Sequence, residues 1–227
     1  VYVDYAHTPD AIEVTLNTGQ VNAVTGLFSG RDLQIFTKGG EFFLPQSDLD
    51  PITPSNVVIQ GATKRGSKEG IKPVGAESGT MFIQRSGKSL REFLFSDVEL
   101  SYISNNISLL SSHLLKSPSD MALRKATSTT DGDLLLLTNS TDGSLATYSI
   151  LRGQNVIAPS LSTTDGEFIN VGVDVDQIYF VIKRTISSAT KYYVECFNDD
   201  NTTDSAKLYS GSSKPSSTTV TGLNHLI

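Results

Sequence analysis

The sequence predicts an all-β protein, and three observations predict it. Ser and Thr together number 52 of the 227 residues and Gly another 18, with Val, Ile, Tyr and Phe spread throughout. That balance favours short strands and polar turns over helices. The triplet Thr-Asp-Gly occurs three times, at 130–132, 141–143 and 164–166, each time just ahead of a strand-like run. Asp-Gly is among the strongest short-range hairpin signals. Apolar runs flank glycine-bearing turns elsewhere too, at about the 8–12-residue rhythm of a sandwich, barrel or propeller.

Taken in order, Leu33–Thr37 runs into Lys38-Gly39-Gly40 and then Glu41–Leu44, the glycines supplying the positive φ of a tight hairpin turn. Between 51 and 70, Pro51, Pro54, Gly61, Gly66 and Gly70 surround the run 56–60, which reads as one strand between loops. Residues 81–85, 86–89 and 90–95 read as strand, four-residue connection and strand. Leu110, His113 and Leu114 stand at i, i+3 and i+4 within 107–116 and predict the one short helix. The apolar run 134–137 suits a strand covered on both faces. In 144–151, Ala146, Tyr148 and Ile150 alternate with Leu145, Thr147 and Ser149, the period of a strand half exposed to water. A strand is expected over 167–173, and 177–183 with 191–197 forms the last pair, joined by the polar stretch 184–190. The Ser-rich stretch 210–217 reads as a flexible or extended connection, and 218–227 as the start of another strand. One body over 1–209 is therefore expected, with 210–227 a linker leading into a following small β-domain. Val1 in place of methionine suits a piece of a longer polypeptide, and no charged-then-apolar leader follows it.

A chain of this size can bury about 70% of its surface without staples. Its single cysteine, Cys196, excludes an intrachain disulfide framework or a cysteine-cluster zinc site. His7, His113 and His225 lie far apart in sequence, so neither a metal nor a cofactor is expected. No apolar run approaches the length of a membrane span, and no membrane insertion by this segment is expected. The net charge of −6 argues against gripping nucleic acid over the whole surface, though not against DNA merely sliding past.

Few residues carry a chemical signal. Lys64, Arg65, Lys68 and Lys72 make a local basic cluster on a loop. They lack the interleaved aromatics that stack on bases, so the cluster is no reader of sequence; it reads first as a solvated loop or inter-subunit contact, with a DNA-facing, phosphate-contacting loop as the alternative. No Ser or Cys stands in a nucleophile elbow, and spacing singles out no carboxylate pair. His113 among leucines and Cys196 on a strand read as packing residues, so no catalytic residue is expected. The segment Asp4-Tyr5-Ala6-His7-Thr8-Pro9-Asp10 resembles the one that opens the C-terminal domain of Mur-type ATP-dependent amide ligases. That chemistry needs a phosphate cradle. The nearest candidate, 61–68, has Ser and Lys in the wrong order, and the ligase domain is α/β.

A wider resemblance runs through nearly the whole chain. It begins at 12–16 and 20–24, continues through Asp32-Leu33-Gln34-Ile35-Phe36-Thr37-Lys38-Gly39-Gly40-Glu41, Pro51-Ile52-Thr53-Pro54 and Lys72-Pro73-Val74, and includes 81–92. It resumes at 178–184 with Tyr192-Tyr193-Val194-Glu195 and closes on 219–226. In that order these segments resemble the tail nozzle (tail tubular protein B) of short-tailed bacteriophages and the related DNA-stabilisation hub proteins. The acidic, turn-rich stretch 198–204 departs from the pattern. The resemblance implies an all-β, β-propeller-like body of antiparallel hairpins, assembled with copies of itself into a ring, commonly a hexamer, in the virion tail. Portal, adaptor and tail fibre proteins would be its partners, and genomic DNA would leave through its channel without sequence-specific binding. A structural protein with no catalysis is the expectation, made in the host cytoplasm and residing in the virion. A β-rich receptor- or glycan-binding module is the alternative, and an amide ligase fragment stands third.

Overall fold

Period-two alternation bounded by glycine and Asx turns yields fifteen strands, which the computed structural model, describing residues 23–45, 57–77, 79–128, 131–198 and 204, arranges in four antiparallel sheets. The first sheet holds β1 (Val24–Ser29), β2 (Leu33–Thr37), β3 (Glu41–Leu44) and β4 (Gln60–Thr63). The second holds β5 (Val74–Gly75), β6 (Thr80–Ile83), β7 (Leu90–Ser96) and β8 (Ser101–Asn106). The third holds β9 (Pro118–Arg124), β10 (Asp133–Asn139), β11 (Leu145–Leu151) and β12 (Val156–Ser162). The fourth has three strands, β13 (Glu167–Asp174), β14 (Gln177–Ile186) and β15 (Ala189–Cys196). Every sheet is a meander in which each strand pairs with its neighbour in sequence.

The sheets stack face to face in chain order, because strands of the inner sheets are apolar on both sides. Phe36 and Phe43 of the first sheet meet Phe82, Phe93 and Tyr102 of the second. The opposite face of the second sheet presents Met81, Ile83 and Leu90 to Leu135, Leu137, Ala146 and Tyr148 of the third. Leu136 and Leu145 then turn to Phe168, Ile178, Phe180 and Ile182 of the fourth. Leu135, Leu136 and Leu137 are all 0% exposed, as expected of a strand covered on both faces. Burying each is worth about 2 kcal/mol relative to exposure. In β11 the alternation is as read, but the strand is not half exposed. Leu145 has no exposure and Thr147 is half-buried, since the fourth sheet covers the side expected to face water.

The first strands of successive sheets adjoin. Pro73, just before β5, lies against Gly26 of β1, and the Phe28 ring of β1 lies against Gly75 of β5. Strands β5 and β9 are neighbours. From β9, Asp120 accepts hydrogen bonds from the Val171 amide (3.0 Å) and Asn170 Nδ2 (3.3 Å) of β13.

Several expectations need correction. The predicted helix is a single 3-10 turn, Ser112–Leu114, and a second such turn lies at Arg152–Gln154. Leu110 is 93% exposed and His113 is exposed, so the helical spacing did not mark a packed face and His113 is no core residue. Cys196 is exposed rather than packed, because it falls on the outward side of β15. The strand expected over 56–60 begins at Gln60. The connection in 184–190 is shorter than its polarity suggested: β14 runs on to Ile186, and Ser187 and Ser188 alone make the turn. The third Thr-Asp-Gly, at 164–166, carries the chain from the third sheet to the fourth instead of closing a hairpin. His7, His225, the ligase-like segment 4–10 and the tail 210–227 lie outside the described residues.

Candidate functional site

Alternating strand direction gathers one set of connections at each end of the stack. The β2–β3 turn, the link from β4 to β5 and the β6–β7 turn share an end, and there the first two sheets carry Lys38, Lys64, Arg65, Lys68, Arg85 and Lys88. Gly66 holds three of them together. Its φ of +72° is favoured only for glycine, and a Cβ there would fall 2.2 Å from the Lys38 carbonyl oxygen and 3.0 Å from Arg85 Cδ. The Arg85 amide donates to the Gly66 carbonyl at 2.8 Å. Arg65 therefore stands beside both Lys38 and Arg85. Lys64, Arg65, Arg85 and Lys88 are exposed, and no ion pair to a described residue engages them. Lys38 meets Glu69 at 2.5 Å, both solvent-exposed.

The four residues singled out by sequence divide. Lys64 and Arg65 belong to this end. Lys68 is half-buried and structural: its Nζ donates to the Pro118 carbonyl (2.5 Å) and Ser117 Oγ (3.3 Å), tying the second sheet to the third. Burial holds its pKa below the ordinary lysine value. Lys72 is exposed between the buried Ile71 and Pro73. Lys38, Arg85 and Lys88 were not singled out, although both turns that carry them are readable as hairpins; strand direction was the signal that would have joined them.

Beneath the basic end lies a buried acid. Glu41 is 0% exposed. Its Oε2 accepts from Thr63 Oγ1 and from the Arg65 amide (3.2 Å), while Oε1 has no hydrogen-bond partner among the described residues. Burial raises its pKa, against the lowering pull of those hydrogen bonds and of the Arg91 charge. Arg91 is itself held by Gln84 Oε1 (2.7 Å) and the Ser104 carbonyl (3.1 Å).

The opposite end is mainly acidic. Its turns expose Glu77, Asp97, Glu99, Asp131 and Asp176, alongside Arg31 and Lys125. There an open cleft between the first two sheets is lined by Phe28, Arg31, Gln34, Phe95 and Tyr102. Tyr102 donates to Asp32 at 2.9 Å, and Arg31 lies 4.3 Å over the Phe95 ring. Among the described residues, no three His, Cys, Asp or Glu side chains converge as metal ligands would.

No protein-family profile matches the chain, and no curated protein matches it.

Proposed function

We propose that the chain is a structural component of a bacteriophage tail, a nozzle or hub whose copies form a ring, six in the reading the resemblance implies, around the DNA exit channel. Its four meanders are blades of a β-propeller-like body. The observation that carries this is the stacking: successive antiparallel meanders packed face to face, with their first strands adjoining from Gly26 through Pro73 to Asp120 and Val171. Such an order is how propeller blades follow one another around an axis. On this reading the protein makes and breaks no bond. It packs against copies of itself, portal or adaptor and fibre proteins, and resides in the virion, where DNA passes without base-specific contact. An acidic net charge of −6 lowers friction on a passing polyanion.

One observation favours a second reading. Tyr179, Tyr192 and Val194 stand 41%, 64% and 75% exposed on the outward side of the fourth sheet, as sugar-stacking aromatics would. Mass photometry and single-particle imaging of the protein at its natural length separate the two. Rings with an axial channel are expected. A monomer that binds glycans, and ceases to do so on Tyr192→Ala, would overturn the ring.

A further inference from the structure

We infer that the basic end of the first two sheets is a docking site for the phosphate backbone of duplex DNA. The inference deepens the tail reading and rests on it for the choice of DNA among polyanions. Turns of two different sheets bring Lys38, Lys64, Arg65, Arg85 and Lys88 to one end, with Lys68 Nζ at their margin against Gly87. Glu69 is their one exposed carboxylate neighbour within these turns, and Glu41 is buried below them. Such a concentration in a chain of net charge −6 is a local reversal of sign, and its field survives where the surface average is repulsive.

The chemistry selects the ligand. Clustered Lys and Arg neutralise phosphates and release their counterions. Arg65 and Arg85 offer planar forks that match phosphate oxygens two at a time. Single strands are bound by stacking bases on aromatic rings, and the exposed large apolar residues of the described chain include no aromatic at this end. A duplex keeps its bases inside and presents phosphates alone.

Binding of a fluorescein-labelled duplex of about two helical turns, followed by anisotropy from about 50 to 200 mM salt, tests the site. The wild-type protein is expected to bind with a steep salt dependence. Lys64→Gln/Arg65→Gln/Lys88→Gln, which alters only exposed side chains, is expected to weaken binding more than about tenfold and to flatten the salt slope by about one for each phosphate no longer neutralised. Lys125→Glu, at the far end, is expected to change neither. Absence of binding at about 50 mM salt, or an undiminished affinity in the triple variant, overturns the inference. So does displacement of DNA by polyglutamate at equal charge, which would assign the end to an acidic protein. Mass photometry of the same samples keeps the two readings apart: rings that ignore DNA sink this inference alone, and DNA-binding protein that never forms rings sinks the ring alone.

Discussion

The guanidinium of Arg184 and the carboxylate of Glu195 lie side by side across β14 and β15, with Nε to Oε1 and Nη2 to Oε2 both at 2.7 Å. Arg184 is 4% exposed, and its remaining Nη1 donates to the Asp165 carbonyl at 2.7 Å, with Asp204 Oδ2 at 3.6 Å. The hydrogen bond that Arg184 donates to Glu195 outweighs burial and raises the Arg184 pKa. Removing the carboxylate would leave a buried cation short of its partner. Glu195→Ala is expected to cost about 3 kcal/mol in urea unfolding. Arg184→Met, which removes the charge but keeps the volume, is expected to cost less.

Glu41 sets an unusual pH dependence. Burial raises its native pKa above the ordinary 4.5 at which the unfolded chain releases the proton. As pH climbs from 4.5 through the native value, the unfolded state binds fewer protons than the native state, so stability falls. Glutamine keeps the acceptor for Thr63 and the Arg65 amide without titrating. Glu41→Gln is expected to match the wild type near pH 4 and to be the more stable of the two at pH 7, read from melting temperatures across that range.

Gly143 closes the β10–β11 turn at φ +66°, and a Cβ there would fall 2.5 Å from Glu167 Cβ of the neighbouring sheet. Gly143→Ala combines left-handed strain with a collision between sheets. A loss of at least about 2 kcal/mol in denaturant unfolding is expected.

Ser187 and Ser188 form the two-residue turn between β14 and β15 with φ of +50° and +65°. Both angles are positive, as in the type I′ turns that prefer Asn-Gly. Ser187→Asn/Ser188→Gly is expected to stabilise the protein by about 0.5 kcal/mol, measured by thermal unfolding.

Much of the sheet architecture is legible in local sequence. The β2–β3 hairpin falls where Lys38-Gly39-Gly40 places it, although neither glycine takes the expected positive φ and Thr37 Oγ1 closes the turn by accepting from both glycine amides. The uniform apolarity of 134–137 anticipates a strand buried on both sides. What local sequence misses is which turns join strands of one sheet and which cross to the next. Thr141-Asp142-Gly143 and Thr164-Asp165-Gly166 share one chemistry, yet the first closes a hairpin and the second changes sheets. The helical spacing of Leu110 and Leu114 failed for a related reason: Leu115, one residue on, is the buried anchor, and the segment is a crossing held from both ends. The basic end was half visible. Lys64 and Arg65 are neighbours in sequence, whereas Arg85 reaches them only because Ser67 pairs with Gln84 across the edge of the second sheet.

The three apolar clusters each bridge two consecutive sheets. A meander emerging from the ribosome therefore finds its mating surface already built by the one synthesised before it. The polypeptide can mature layer by layer from its N-terminal side, never holding a long unfinished stretch in suspension.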